Sequence, residues 1–241
     1  MQSLQIDRQL TFSGDGNNGA NIVGNPSNSK ILTEWNFKEL ALNETNNYTV
    51  FIDTTSAVAL ANGGITLTTA ATDTKTCSYA FGGIHALCAN NPVVEVKLKL
   101  DVITTVAINV GFTDATTEAT ALLPFLISGT TITDTASNGA MFCFDTEQTT
   151  DRFYIVNTKA GVQGGTLLSA VQAPFSAATN ITLRVALDTS GNATYYYNGA
   201  VVGRKVNATT AATPLVPYVG IRNNTATAHV ATVRYVRVWE D

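Results

Sequence analysis

Charge is what this sequence has least of. Asp, Glu, Lys and Arg make up 13% of its 241 residues, about half the share in an average globular protein. With 14 Lys+Arg against 18 Asp+Glu the net charge is −4, and the basic footprint of a nucleic-acid-binding domain is missing. A polybasic membrane patch is missing too. No apolar run nears the ~18 residues that cross a bilayer. The opening MQSLQIDRQL lacks the basic leader and apolar core of a signal peptide, so no export signal is expected. Neither nucleic acid nor membrane is an expected partner.

Cysteine and histidine are nearly as scarce. The three cysteines are Cys77, Cys88 and Cys143, and an odd number is no disulfide framework. Cys77 and Cys88 bracket CSYAFGGIHALC and are candidates to pair across it. Cys143, in AMFCFD, reads as a small strand residue. The two histidines are His85 and His229, and only His85 and Cys88 are close enough to suggest shared metal ligation. Two ligands without a second pair make no zinc site. Gly14-Asp-Gly16-Asn-Asn-Gly19 matches a dinucleotide fingerprint, but the following ANIVGNPSN cannot supply the helix whose N-terminus would face a phosphate. It reads as a turn. There is no H-E-x-x-H, no nucleophile elbow and no phosphate loop; no cofactor or metal is expected.

What is present is threonine, valine, glycine and asparagine, with 45% hydrophobic residues. The first two suit pleated strands and the last two suit turns. VEVKLKLDV alternates, with Val94, Val96, Leu98 and Leu100 on one side and Glu95, Lys97, Lys99 and Asp101 on the other. Such period-2 patterning marks a sheet with one wet face. VAINVGFTD places Val106, Ile108, Val110 and Phe112 on one face, and the short ITT between the two predicts a hairpin. Residues 113–138 read as a long loop with one short strand, LPFLISG. AMFCFDT (140–146) and RFYIVNT (152–158) form the next pair, and residues 159–179 read as another long connection. NITLRVALD turns Ile181, Leu183, Val185 and Leu187 inward.

DTSGNATYYYNGAVVGRKV then gives two strands around Asn198-Gly199, a dipeptide that favours a type I′ turn. Period 2 puts Tyr195 and Tyr197 on one face and Tyr196 on the other. In AHVATVRYVRVWE the apolar phase shifts between Val233/Tyr235 and Val236/Val238, which predicts a bulge. No segment shows a helical period. About a dozen strands make an all-β, antiparallel two-sheet sandwich over residues 31–241. Residues 1–30 read as an N-terminal arm or entry strand followed by a Gly/Asn-rich loop.

The segments VVEVKLKLD, INVGFTDA, GAMFCFDTEQTTDRFYIV, ITLRVALDTSGNATYYYNGAVVG and VRYVRVW, in that order, resemble the concanavalin A-like (laminin-G-like) jelly roll of tailed-phage virion proteins. The resemblance runs from about Ile31 to the C-terminus. It implies a non-enzymatic structural protein of the virion, on the capsid surface and assembled in the host cytoplasm: a decoration or cement protein that binds and stabilises the major capsid shell. The implied partners are the major capsid protein, other virion subunits and further copies of the chain, as a trimer. Leu4, Ile6, Leu10 and Phe12 are the candidate partner-binding residues of the arm.

The alternative is a lectin-like domain of a tail fibre or spike, with Tyr196 as its glycan-facing aromatic. Glycosidases of this fold resemble one another in an E-x-D-x-E strand motif, and no such triplet occurs. The nearest pattern is Asp145-Thr-Glu147 with Asp151 close by. It offers a paired carboxylate on one strand face, but its position favours a solvated turn. A calcium-dependent lectin site would draw on Asp114, Asp134, Asp145 or Asp151, of which Asp114 in GFTDATTE has neighbouring threonines.

Overall fold

The alternating strand VEVKLKL lies at the centre of one of two facing sheets. The computed structural model describes residues 10–13, 20–25, 30–35, 49–53, 55–61, 64–80, 86–115, 122–164, 168–171 and 176–240. The first sheet, A, runs β1 (Leu10–Ser13), β2 (Ala20–Asn25), β3 (Lys30–Trp35), β20 (Val230–Glu240), β8 (Pro92–Leu100), β16 (Ile181–Leu187), β17 (Ala193–Tyr197) and β18 (Ala200–Lys205). On β20 it also carries β6 (Gly64–Thr68), and β5 (Ala57–Ala61) pairs with β6. The second, B, runs β14 (Val162–Gln163), β13 (Phe153–Lys159), β12 (Gly139–Asp145), β9 (Val106–Thr113), β19 (Val216–Asn223), β7 (Thr76–Ala80) and β4 (Thr49–Ile52), with β15 (Leu168–Val171) on β13. A separate hairpin joins β10 (Phe125–Ser128) to β11 (Thr131–Asp134). Strand neighbours are antiparallel and mostly distant in sequence, the arrangement of a jelly-roll sandwich.

The core lies between the sheets. Val94, Val96, Leu98 and Leu100 of β8 meet Val106, Ile108, Val110 and Phe112 of β9, all essentially unexposed. Each such side chain contributes ~1.5–3 kcal/mol on burial. Tyr195 is inside, edge-on to Phe142 at 5.4 Å, and its hydroxyl donates to the Val156 carbonyl at 3.4 Å. Phe153 lies 6.2 Å from Phe142 and 6.2 Å from Tyr197. The expected tyrosine parity holds: Tyr195 and Tyr197 face the core and Tyr196 the other side. Asn198 and Gly199 have φ of 48° and 85°, the two positive values a type I′ turn requires. The bulge in β20 falls between Val233 and Tyr235.

Several expectations are corrected. β8 and β9 are not hairpin partners. β8 sits between β20 and β16, whereas β9 sits between β12 and β19, so residues 101–105 carry the chain from one sheet to the other. Residues 125–134 form a two-stranded hairpin rather than one strand in a loop. Leu123, Phe125 and Ile127 pack there on the outer face of sheet B, against Ala107, Met141, Cys143, Val156, Val216 and Tyr218. Sheet B is therefore buried on both faces along β9, β12 and β19. Ala20–Asn25, read as loop, is strand β2, its Ile22 and Val23 in register with Thr33 and Leu32 of β3. Leu10 and Phe12 lie on β1 at the edge of the same sheet; Leu4 and Ile6 lie outside the described residues.

Cys77 and Cys88 do not pair. Both are buried free thiols, held on separate partners. Cys77 Sγ donates to the Ala57 carbonyl at 3.3 Å, and Cys88 Sγ lies 3.6 Å from Thr209 Oγ1. His85 lies outside the described residues.

Candidate functional site

Among the described residues, the outer face of sheet A is a broad sheet face with no second layer over it. β16 throughout, and β8 from Val94 onward, alternate buried and half-buried residues, and register places the outward ones in transverse rows. Tyr196 is opposite Arg184, Arg184 opposite Glu95, and Glu95 opposite Arg237. The next row is Thr194, Ala186, Val93 and Trp239. Cross-strand neighbours on one face are about 5 Å apart, so each row is in contact.

The first row is charged and aromatic. The Arg184 guanidinium lies 3.9 Å over the Tyr196 ring and the Arg237 guanidinium 4.2 Å over the Tyr235 ring. Glu95 stands between the two arginines, 4.0 Å from Arg184 Nε and 3.6 Å from Arg237 Nη1. The Tyr235 hydroxyl donates to Glu95 Oε1 at 3.0 Å. Burial first, and neighbouring Glu95 second, push the Tyr235 phenol above its ordinary value.

Thr194, Ala186 and Val93 of the second row floor an open depression of about 230 Å³, lined also by Asn91, Leu187, Asp188 and Asn192. Its floor side chains are small, and its rim is polar. Val93 is only 2% exposed although it points outward, so its neighbours cover it; half-buried Trp239 is its cross-strand partner. Asp188 shapes the rim. Its carboxylate accepts the Ser190 and Asn192 amides at 2.9 Å each and the Asn192 side chain at 2.7 Å. Burial acts to raise this carboxyl, but the hydrogen bonds from Asn192 and Ser190 outweigh it and hold it below the usual value. Asn91 is held in a left-handed conformation, φ 47°, by its place after the short 3₁₀ turn Cys88–Asn90.

The carboxylates singled out from sequence are engaged elsewhere. Asp145 is no solvated turn residue: it is 0% exposed. β12 continues through it, and the β10–β11 hairpin lies across that end of the strand. Its carboxylate accepts the Ile127 amide at 3.0 Å, the Glu147 amide at 3.1 Å and Asn224 Nδ2 at 2.8 Å. Glu147, past the strand end, lies 3.6 Å from the Arg222 guanidinium. Asp114 accepts the Ser137 amide at 2.9 Å and Asn138 Nδ2 at 3.2 Å, tying two loops together. Asp134 ends β11 and Asp151 is exposed in the irregular stretch before β13. Among the described residues no three His, Cys, Asp or Glu side chains are grouped to hold a metal ion. His229, nearly buried, shares a 2.8 Å hydrogen bond between Nε2 and Thr105 Oγ1.

Tyr196 stands on the outer face, as its parity predicts, but one side of its ring is occupied by Arg184. Arg184, Glu95, Tyr235, Arg237 and Trp239 were not legible as a group. Each reads as an outward residue of its own strand, and only the register of three strands brings them together. The available signal was the outward half of VEVKLKL and VRYVRVW.

No family model and no curated protein sequence matches the chain. Solved structures match the fold. The carbohydrate recognition domain of Emp46p in its potassium-bound form superposes with a TM-score of 0.62 at 10% identity, covering 84% of this chain and 94% of that one. The β-glucanase of Bacillus licheniformis gives 0.58 at 14% identity over 85% and 96%. The κ-carrageenase of Pseudoalteromonas carrageenovora, solved with an oligotetrasaccharide of κ-carrageenan, gives 0.57 at 12% identity over 90% and 97%. The protein has the concanavalin A-like jelly-roll fold shared by lectin and glucanase domains.

Proposed function

We propose that the chain is a non-enzymatic carbohydrate-binding domain whose site is the outer face of sheet A. The observation that carries this is the depression itself: small side chains on its floor, Asn and Asp on its rim, and Trp239 in the adjoining position. A sugar ring presents an apolar face and a polar edge, and a flat aromatic beside fixed polar groups matches both. The shared fold with a carbohydrate recognition domain and two polysaccharide-acting enzymes supports the reading. The non-enzymatic part rests on β12. Its outward positions carry Met141, Cys143 and Asp145 where a carboxylate triplet at period 2 would be needed, and the hairpin covers them. The test is an array of neutral and charged oligosaccharides probed with the full chain, Trp239→Ala and Ala186→Trp. Binding by the parent chain that both variants lose is expected. A silent array, or binding that survives both substitutions, overturns the reading.

A second reading, a capsid decoration protein, is favoured by the sequence resemblance to phage jelly rolls and by β1. That strand ends the order of sheet A, and an edge strand offers backbone groups for pairing with a partner such as the major capsid protein or another copy in a trimer. Purified protein mixed with undecorated shells is its test; failure to bind, or binding that leaves the shells' melting temperature unchanged, removes it.

A further inference from the structure

We infer that the chain pairs with a second copy of itself along the edge strand β5, antiparallel, so that sheet A continues from one copy into the other. The inference is independent of the carbohydrate reading.

β5 reads Ala-Val-Ala-Leu-Ala. Among the described residues it is paired on one side only, with β6. An edge strand leaves backbone N–H and C=O groups open to another strand, and edges are ordinarily guarded by charge, by a bulge or by shortness. Two other edges of this sandwich carry such guards. β18 has Arg204 and Lys205, and its pairing with β17 is broken by a register shift. β14 is two residues long. β5 has no charge, proline or glycine, and it pairs with β6 in unbroken register. At its first residue the Ala57 carbonyl accepts the Cys77 thiol, so the open stretch centres on Val58, Ala59 and Leu60.

The core is also incompletely closed on this side. The chain passes here from β4, the edge of sheet B, to β5 of sheet A. Ile52 is in register with the core residue Cys77, and Val58 and Leu60 with the core residues Leu67 and Ile65. All three therefore hold inward positions. Yet Ile52 is 48% exposed, and Val58 and Leu60 are only partly buried. Apolar residues of an inner face stay wet only where the next strand is missing.

A second copy fits because β5 complements itself. A two-fold axis at Ala59 sets Ala59 against Ala59, Val58 against Leu60 and Ala57 against Ala61. On the outer face small residues meet small residues. On the inner face Val58 and Leu60 meet across the seam and cover the margin of each core. No charge is set against its like. Such an interface is isologous and closes at two copies. Antiparallel pairing also leaves the outer faces of both copies on the same side of the joined sheet. At ~3.4 Å per residue β5 is ~17 Å long and the sandwich is ~10 Å deep. The seam is therefore smaller than the ~800 Å² per partner of a standard interface, which makes a reversible dimer with Kd on the order of tens of micromolar.

Sedimentation equilibrium of the full chain, from about 5 to about 500 μM, brackets that range. Ala59→Lys sets two lysines face to face at the axis, and Ala59 is exposed in the single chain, so the fold is kept. Val201→Lys, at a 51% exposed position of β18, is the control. A monomer–dimer equilibrium is expected, weakened about ten-fold by Ala59→Lys and unmoved by Val201→Lys. The second probe is Ala59→Cys treated with oxidised glutathione. The native thiols are buried, and disulfide-linked dimer should form about ten-fold faster than from Val201→Cys. A monomer at every concentration overturns the inference, and so does a trimer, which a two-fold seam cannot build. A dimer that survives Ala59→Lys overturns β5 as its seam, whatever Val201→Lys does. If Ala59→Lys fails to fold, the cross-linking rates decide, and equal rates for the two cysteine variants overturn the pairing.

Discussion

The Ile127 amide donates to Asp145 Oδ2 at 3.0 Å, and this bond fastens the β10–β11 hairpin across the end of β12. A second buried polar contact does the same at the hairpin's start, where Asn109 Oδ1 accepts the Phe125 amide at 2.7 Å. Two hairpin amides that would otherwise be buried without partners are satisfied by side chains of the sheet beneath. The layer is thus specified by polar registration as well as by Phe125 and Ile127.

Replacing Asp145 with Ala leaves the amides of Ile127 and Glu147 without their acceptor and Asn224 Nδ2 with only Thr146 Oγ1, at 3.2 Å. At ~1–3 kcal/mol for a buried unsatisfied group, and with partial rescue by water, a loss of about 3 kcal/mol is expected in urea unfolding. Amide exchange at Ile127 and Phe125 should accelerate more than exchange in β8. A loss below about 1 kcal/mol would show that the hairpin is held by its apolar contacts alone.

Gly111 on β9 has no room for a side chain. Its φ is +151°, and a Cβ there would fall 2.4 Å from the Ala140 carbonyl oxygen of β12. The Cβ is fixed by the backbone of paired β9 and the carbonyl belongs to the backbone of its partner β12, so neither can rotate away. Gly111→Ala should cost about 1–3 kcal/mol, the range for overpacking, and shift the amide resonances of Ala140 and Met141. An unchanged melting temperature would show that β9 and β12 separate without penalty.

The thiols should be silent at neutral pH and visible in alkali. Burial pushes Cys77 up to about 12 from an ordinary 9.0, against the opposing hydrogen bonds with Thr68 and Ala57. Cys88 and Cys143 are raised as well, in each case chiefly by burial. Between pH 9 and pH 12 the unfolded chain has lost the Cys77 proton and the folded chain still holds it, so folding binds a proton there. The stability from this group is complete below pH 9 and falls as pH rises towards 12. Tyr195 and Tyr218, raised by burial from 10.0, act in the same direction. Native protein should therefore resist a thiol reagent at about pH 8 and react fully in denaturant. Cys77→Ala should flatten the decline of unfolding free energy above pH 9. A parallel slope would show that the tyrosines carry the effect.

The sandwich was legible wherever one face of a strand is wet. β8 and β16 alternate so cleanly that their inward residues can be read directly, and the same period sets the tyrosines. What could not be read is contact between distant segments. The five residues after β8 look like a hairpin turn because a short link is compatible with either partner, and the choice of sheet is made by β20 and β16. Asn109 reads as an interruption of an apolar strand, yet it is buried because the hairpin that uses it lies sixteen positions on. Asp145 reads as a turn residue for the same reason. On the outer face the limit is again register: Arg184, Glu95 and Arg237 are adjacent only once three strands from separate parts of the chain are aligned.

The tyrosine triplet allows stability and binding to be separated. Tyr195 is buried against Phe142 and Val156, so Tyr195→Ala opens a cavity between the sheets and should cost about 3–5 kcal/mol. Tyr195→Phe loses only a 3.4 Å hydroxyl bond and should cost under about 1.5 kcal/mol. Tyr196 is on the opposite face, where its ring supports Arg184. A cation–π contact at a partly exposed site is worth ~0.5–1 kcal/mol, so Tyr196→Ala should leave the melting temperature within a few degrees of the parent. It should nevertheless weaken oligosaccharide binding at this face, because Arg184 is no longer held flat over a ring. Tyr196→Phe keeps the ring and should bind like the parent. If Tyr196→Ala destabilised the chain as much as Tyr195→Ala, the outer face would be structural core and the site would have to lie elsewhere.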